Sequence, residues 1–313
     1  MLRLTLRNIS RRKLRFALTT LAVVLGVSFL STSFFLTDKL RDTFAELATD
    51  ITGELDLVVR TSISEDGQRL NRLPVPDEVL AVVAGIPGVA AAAPSITGWN
   101  VVPILLDEDG EPAAVPNSGA PQFGVNYNGI DGLEQMFVTS GRAPERTGSL
   151  HDPDTVGEFM LDNRTADDHG FSIGETYTVS APGGNRRFLL VGTANFGSPD
   201  ENKTVGANIS SFDTATVQEL LGKEGLYDEI AIVIQPGADR TQVMAAIQSA
   251  LDVASAEFRS FLDAVPAEHR DAVAALGEAA LEVVTAETKI AEDQGEFDQF
   301  ISIISSEIGR AHV

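Results

Sequence analysis

The sequence contains no cysteine, which excludes disulfide bonds, thiolate metal sites and cysteine nucleophiles. Aromatic residues make up 6% of the chain and include one tryptophan, so a base-stacking or glycan-stacking surface is not expected. Basic residues are also scarce: 23 lysines and arginines stand against 45 aspartates and glutamates. Because phosphates are bound by lysine and arginine, a chain this acidic is not expected to bind nucleic acid.

Motifs of the common enzyme classes are missing as well. The sequence has no GxxxxGK[ST] phosphate loop, no HExxH zinc motif and no GxSxG nucleophile motif. The acidic stretch His151–Asp154 and the trio Asp107, Asp109 and Glu111 could hold a metal. A proline-containing loop and a hairpin turn explain these two stretches better. We therefore expect no enzyme activity, no cofactor and no metal in this chain.

One long uncharged run lies near the N-terminus. Phe16–Thr37 carries no charged side chain, and six of the basic residues lie in the first 15 positions. About 20 apolar residues are enough for a helix to cross the hydrocarbon core of a bilayer. The basic flank predicts that residues 1–15 stay in the cytoplasm and that the acidic remainder lies outside the plasma membrane. A cleaved signal peptide is the alternative, but its apolar region is normally only about 7–15 residues long.

Two further features of the N-terminal region concern the membrane. Ala22 and Gly26 are four residues apart and share a helix face, which predicts close packing against another membrane helix; ordinary membrane-helix composition is the alternative. Leu2, Leu6 and Ile9 recur at helical spacing among arginines. This pattern predicts an amphipathic helix on the inner leaflet, with a solvated basic tail as the alternative.

The rest of the chain has the pattern of an α+β domain. A strand at 55–60, a helix opening at Asp77 and a strand from Val89 come first, and short alternating runs broken by turns follow. Pro182–Asn185 is a strong hairpin signal between two such runs. The later predicted elements are a helix at Ser211–Leu221, a strand at Glu229–Ile234, a helix at Arg240–Asp263 and a strand at 282–284.

Two segments outside this domain are predicted to be stalk helices that connect it to the membrane. Their apolar stripes are formed by Leu40, Phe44 and Leu47 in the first and by Phe297, Phe300 and Ile301 in the second. The predicted organisation is a leader at 1–15, a transmembrane helix at 16–37, a stalk at 38–54, an α+β subdomain at 55–98 and 205–284, an inserted small all-β module at 99–204, a second stalk leading to the next membrane helix at 285–306, and a tail at 307–313.

Several short segments resemble one known family. The basic leader ending in Lys-Leu-Arg before an apolar helix is similar to the first membrane helix of FtsX-like, MacB-type ABC transporter permeases. The remaining matches to the extracytoplasmic core domain of that family are Ile86–Val89, Gly141–Pro144, Gly157–Asp162, Gly170–Glu175, Ser211–Asp213 and Tyr227–Ile230.

This resemblance implies a function in transport. Such permeases have one helix, a large outer domain and three more helices, and they pair with a separate cytoplasmic ATPase that holds the ATP, usually as dimers. Nucleotide-driven movement of the membrane helices passes through stalks to the outer domain and serves export or extraction of a substrate. An FtsX-like regulator that activates a cell-wall hydrolase through an extracytoplasmic partner protein is an alternative, and a single-pass receptor or adhesion domain is another.

The C-terminal residues Ile308–Val313 resemble the translation of a sequencing adapter. We expect that the natural protein is longer and continues into a second membrane helix, with a genuine polar tail as the alternative. The identity of the transported substrate is not predicted by any motif.

Overall fold

The computed structural model describes residues 17–29, 31–32, 35, 55–62, 72–106, 112–114, 121–204, 206–263, 280–292 and 295. The chain divides into two units, one made of Met1–Ala48 with Glu292–Val313 and the other of Thr49–Ala291. The predicted leader at 1–15, the stalk at 38–54 and the tail at 307–313 lie outside the described residues.

The described part of the first unit is helical. Residues 17–29 form a helix, and their side chains are exposed. These exposed side chains include Leu18, Leu21, Leu25 and Phe29. Within the described ranges, no helix is both long and apolar enough to meet the criterion for a membrane span, so the transmembrane helix at 16–37 stays a prediction.

The second unit, which we call the body, contains all the described strands. In chain order they are β1 Leu57–Thr61, β2 Val75–Pro76, β3 Val89–Ser95, β4 Thr97–Trp99, β5 Val102–Leu106, β6 Pro112–Ala114, β7 Gln122–Tyr127, β8 Met136–Gly141, β9 Gly157–Asp162, β10 Thr176–Ser180, β11 Arg186–Phe196, β12 Asn208–Asp213, β13 Leu226–Tyr227, β14 Glu229–Ile234 and β15 Leu281–Thr285. Its helices are α1 Glu78–Ala84, α2 Asn163–His169, α3 Thr214–Leu221 and α4 Arg240–Asp263. Residues 286–291, which we call the return helix, are also helical.

Two main sheets organise the described strands. The small sheet has four strands in the order β15-β1-β14-β3, all antiparallel. The large sheet has nine strands, with the order β4-β7-β12-β9-β11-β10-β5-β6 and with β8 paired to β11. The pairs β7–β12 and β9–β11 are parallel, so the large sheet is mixed. The short strands β2 and β13 form a separate pair.

The local sequence explains several of these elements. Every residue of β9 is buried, as expected for a central strand that is covered on both faces. Helices α2 and α3 each begin after an aspartate, Asp162 and Asp213, whose carboxylate accepts a backbone N–H of the first turn. Each of these helices ends at a glycine, Gly170 or Gly222.

The core is continuous through the body. On the small sheet, Leu57, Ile230 and Ile232 pack with Val243 and Ile247 of helix α4. The large sheet contributes an aromatic cluster to the same core. The rings of Phe159, Phe188 and Phe212 are fully buried, and their centroids lie 6.2, 6.1 and 5.0 Å apart pairwise.

The mixed α+β prediction is confirmed, with corrections. Ser211–Asp213 was predicted to be helical but ends strand β12, because the helix begins only after its Asp213 cap. The all-β description of residues 99–204 is wrong, since α2 lies among its strands. Thr285 belongs to β15 rather than to a stalk helix.

Candidate functional site

The place where the chain enters and leaves the small sheet is the first candidate site. Strand β1 follows the N-terminal segment and strand β15 precedes the return helix, and the two strands are antiparallel neighbours. Leu57, the first residue of β1, pairs with Thr285, the last residue of β15. The chain therefore enters and leaves at the same end of the small sheet. We call this end the root.

Asp56 at the root is hydrogen-bonded both to strand β14 and to the return helix. Its backbone N–H donates to the Ile232 carbonyl at 2.9 Å, and its carboxylate Oδ2 accepts the Ile234 N–H at 2.8 Å. Its carbonyl accepts the Ala286 N–H at 3.1 Å. One residue thus joins the start of β1 to β14 and to the first residue of the return helix.

Two ion pairs hold the return helix against α4 and β14. The helix supplies the acidic side chain in one pair and the basic side chain in the other. Glu287 of the helix binds Arg240 at 2.8 Å, and Lys289 of the helix binds Glu229 at 3.0 Å. The hydrogen bond from Arg240 lowers the pKa of the Glu287 carboxyl. The same bond raises the pKa of the Arg240 guanidinium, so both groups are charged at neutral pH. Ala286, the first residue of the return helix, is buried.

The residues predicted to act in the membrane and the stalks are not brought together in the described part of the chain. Ala22 and Gly26 both lie in helical residues 17–29 and are exposed, and a Cβ on Gly26 would have no described atom within 4 Å. The stalk residues fall outside the described residues: Leu40, Phe44, Leu47, Phe297, Phe300 and Ile301. The packing and stalk roles therefore stay predictions.

Two of the family-like motifs meet in the large sheet. Arg142 of the Gly141–Pro144 motif binds both carboxylate oxygens of Glu158, with 2.6 Å between Nη1 and Oε2. The carboxylate also accepts the Glu145 N–H at 3.0 Å. These bonds lower the pKa of Glu158, the bond from Arg142 being the main cause. A bidentate pair of this kind fixes the segment after β8 against the start of β9.

A glycine lets this motif lie close to the neighbouring strand. Gly141 has φ +72°, and a Cβ at this position would lie 2.3 Å from the Val191 carbonyl oxygen. Strand β8 can therefore turn tightly over β11 at Gly141 and carry Arg142 to Glu158. The family-like sequence is explained here by packing rather than by chemistry.

Asp162, at the end of the Gly157–Asp162 motif, is a fully buried carboxylate. Its Oδ1 accepts the Thr165 N–H at 2.9 Å and Asn202 Nδ2 at 3.1 Å, and its Oδ2 accepts the Ile209 N–H at 2.9 Å. The charge is thus satisfied by three N–H donors. Asp162 joins β9, helix α2 and strand β12, so its role is structural.

Asp228, in the Tyr227–Ile230 motif, joins segments that run between the two sheets. Its Oδ2 accepts the Thr97 N–H at 2.7 Å, and its Oδ1 accepts Lys223 Nζ at 2.6 Å. Its own N–H donates to the Ser95 carbonyl at 3.0 Å. In the sequence this motif is visible only as a resemblance to the family. Its contact with Thr97 is not visible there, because the two residues are 131 positions apart.

The described residues offer no group of three or more histidine, aspartate or glutamate side chains arranged to hold a metal. His151 is exposed, and its Nε2 lies 3.2 Å from Glu224 Oε1. The trio Asp107, Asp109 and Glu111 lies outside the described residues. The described residues of the root and of the family-like motifs therefore hold elements of the fold in position.

Comparison with known proteins identifies the family. The family model described as the MacB-like periplasmic core domain matches residues 16–250. The periplasmic region of MacB from Actinobacillus actinomycetemcomitans has a TM-score of 0.46 at 11% identity, over 77% of this chain and 94% of that one. The extracellular domain of the noncanonic ABC-type transporter YknZ from Gram-positive bacteria has a TM-score of 0.39 at 13% identity, over 62% of this chain and 90% of that one.

No curated protein matches the chain. The family model alone covers well over half of the 313 residues. The resemblance to MacB-type permeases is therefore confirmed, and the chain belongs to the family of MacB-like periplasmic core domains of ABC transporter permeases.

Proposed function

We propose that this chain is a permease subunit of an ABC transporter, in which the root passes movement between the membrane and the extracytoplasmic body. Residues 16–37 cross the plasma membrane with the N-terminus inside, and a separate cytoplasmic ATPase supplies the energy. Two copies pair in the bilayer. The chain itself has no catalytic role, and its substrate is exported or extracted from the membrane.

One observation carries this proposal: the chain enters and leaves the small sheet at one end, where Leu57 pairs with Thr285. Adjacent antiparallel strands are joined along their length, so a pull on either connecting segment is borne by the same end of the sheet. The ion pairs of Glu287 and Lys289 then tie the first turns of the return helix to the body. A merely anchored receptor would need only one such connection.

The location of the body is tested first. Because the chain has no cysteine, Val253→Cys on exposed helix α4 gives a single reactive thiol. We expect a membrane-impermeant maleimide to label this thiol in intact cells. Ser10→Cys in the leader is the matched control, and it should react only after the membrane is permeabilised. Labelling of both variants only after permeabilisation would place the body inside the cell and refute the proposal.

Mechanical coupling is tested with the full chain and its co-purifying ATPase in proteoliposomes. A donor dye on Val253→Cys and acceptor-labelled lipid headgroups report the distance between body and bilayer. We expect ATP to change the energy transfer. Insertion of Gly-Ser-Gly-Ser after Thr285 should abolish this change while ATP hydrolysis continues, because the inserted residues separate the return helix from its sheet.

The same insertion between Gly183 and Gly184, in the hairpin joining β10 to β11, is the control and should leave the signal intact. The proposal is wrong if no ATPase co-purifies, if ATP leaves the energy transfer unchanged in the unmodified chain, or if the insertion at the root has no effect. A cell-wall hydrolase recovered by crosslinking to the body would favour the hydrolase-regulating alternative over transport.

A further inference from the structure

Two stretches of chain cross between the small and the large sheet, and they lie side by side. One crosses from β3 to β4 at Ile96, and the other crosses into β14 at Asp228. The Asp228 N–H donates to Ser95, and the Asp228 carboxylate accepts from Thr97. Lys223 donates to both Asp228 Oδ1 and the Thr97 carbonyl, at 2.6 and 3.1 Å. Two adjacent crossings alone would still permit bending about the line that joins them.

Asn126, a buried residue of β7, adds a connection from the large sheet. Its Oδ1 accepts the Ile96 N–H at 2.7 Å, and its Nδ2 donates to the Pro94 carbonyl at 2.9 Å. Its backbone N–H donates to the Ile96 carbonyl at 3.3 Å. A single amide thus binds both sides of the crossing, and Asn126 is 7% exposed. The backbone groups that would have to rotate in a hinge are already paired.

A loop between β7 and β8 supplies another connection, on the other face of the small sheet. The Glu134 carboxylate accepts four backbone N–H groups, from Asn128 and Gly129 on one oxygen and from Gln135 and Met136 on the other, at 2.7 to 2.9 Å. The loop carries Leu133, which packs against Ala93 and Ala231. Ala231 alternates with Ile230 and Ile232, whose side chains face helix α4, so Leu133 contacts the opposite face.

A cavity of about 40 Å³ lies between Pro94, Ser95, Asn126, Leu133, Glu134 and Glu229. This is room for a few water molecules, which such polar side chains can bind. Glu229 also holds Lys289 of the return helix, so the cavity adjoins the root.

We propose that Asn126, Asp228 and the Glu134 loop form a rigid joint, so that the small and large sheets turn together as one lever when the root is displaced. This rests on the function proposed above. A hinge needs a few residues free to change backbone dihedrals, and the crossing around Ile96 is bonded both by Asn126 of β7 and, through Ser95 and Thr97, by Asp228. Movement at the root is therefore delivered to the far strands of the large sheet without being absorbed between the sheets.

Spin labels on the full chain in lipid nanodiscs test the joint. Val82→Cys on helix α1 and Val138→Cys on strand β8 are both exposed and report on the two sheets separately. We expect one narrow distance distribution that does not change with nucleotide. Asn126→Ala should broaden it about twofold, since it frees the crossing to bend.

Asn195→Ala is the matched control. Asn195 is equally buried, and among the described residues its side chain bonds to Asn163 and Pro199, both within the large-sheet region. This variant should lose stability but keep the narrow distribution. Asp228→Ala, at a more exposed position, serves as the second test if Asn126→Ala does not fold, and it should also broaden the distribution.

A broad or two-peaked distribution in the unmodified chain would overturn the joint, as would equal widths in Asn126→Ala and Asn195→Ala. These outcomes are separate from those of the proposed function. A narrow distribution combined with no ATP-dependent energy transfer would refute the transport mechanism while leaving the joint in place.

Discussion

The large sheet and the root are stabilised by different kinds of contact. The large sheet relies on buried groups: an aromatic cluster around Phe159 and a buried carboxylate, Asp162. At the root, ion pairs hold the return helix, and in one of them the Glu287 side chain is 64% exposed. Buried contacts contribute more to stability than solvated ion pairs do. The large sheet is thus built for stability, while the root is built to hold a connecting segment in place.

Even the outer edge of the small sheet is closed by a side chain rather than by a strand. Gln248 of helix α4 donates through Nε2 to the Leu281 carbonyl at 3.1 Å and accepts the Val283 N–H through Oε1 at 3.0 Å. The amide therefore satisfies edge groups of β15 that could otherwise pair with another chain. The small sheet can be short because the helix covers both its face and its edge.

The largest expected effect is in the aromatic cluster of the large sheet. Phe159→Ala removes a fully buried ring that contacts Phe188, Phe212 and Tyr177. We expect a loss of about 3–5 kcal/mol in the free energy of unfolding, measured by urea denaturation. Val253→Ala, at an exposed position, should change it by less than about 0.5 kcal/mol. A similar loss in both variants would contradict the contrast between buried and surface groups.

A second prediction compares two aspartates with the same local task. Asp162 and Asp213 both cap a helix, but Asp162 is fully buried with three donors, and Asp213 accepts one N–H bond, from Thr216. Asp162→Ala leaves buried N–H groups unpaired and should cost about 2–3 kcal/mol. Asp213→Ala should cost about 1 kcal/mol, the usual value for a lost cap. Equal costs in urea denaturation would show that the number of N–H donors to the carboxylate is not what matters.

The sequence predicts well those elements that depend on local pattern. The strand Glu229–Ile234 and the helix Arg240–Asp263 have the predicted bounds. The hairpin at Pro182–Asn185 is confirmed as the turn between β10 and β11. In each case, alternation, helical spacing or turn residues within the segment are sufficient to predict the element.

Helix α2 was missed although its signals are local. Asp162 and Gly170 bracket Asn163–His169 as a cap and a terminator. The helix is seven residues long and polar, so it lacks the apolar periodicity on which the prediction relied. The prediction of a helix at Ser211–Asp213 is wrong because no turn separates the strand from the helix. Strand β12 ends at Asp213, the residue that caps helix α3.

The candidate site depends on contacts that the sequence does not reveal. Arg240 and Glu287 are 47 residues apart, and Asp56 and Ile234 are 178 apart. Only the order of strands in the small sheet brings these pairs together. The family-like motifs were visible in the sequence, but the pairing of Arg142 with Glu158 follows from the positions of β8, β11 and β9.

An intermediate effect is expected from the pairing of Arg142 with Glu158, and it depends on pH. The pKa of Glu158 is lowered in the folded chain from its ordinary value of 4.5, chiefly by the bond from Arg142. The stabilisation is therefore present above pH 4.5 and is lost as the pH falls through the folded-state pKa. Glu158→Gln should be less stable than the unmodified chain at pH 7, and the difference should shrink toward pH 3.

Urea denaturation at several pH values measures this difference, and Glu201→Gln at an exposed position is the control. That substitution should leave the pH profile close to that of the unmodified chain. If the difference in stability between Glu158→Gln and the unmodified chain stays constant or grows down to pH 3, the charge of Glu158 does not stabilise the fold.

The smallest expected effect on stability is at the root. Arg240 and Glu287 lie 2.8 Å apart, but their side chains are 42% and 64% exposed. A double-mutant cycle with Arg240→Met and Glu287→Gln should give an interaction energy below about 1 kcal/mol, and high salt should reduce it further. An interaction energy that is larger and insensitive to salt would mean that the root also stabilises the fold. The pair would then no longer differ in kind from the pairing of Arg142 with Glu158. A small, salt-sensitive value is what the exposure of the two side chains predicts, because solvated charges gain little free energy from their mutual attraction.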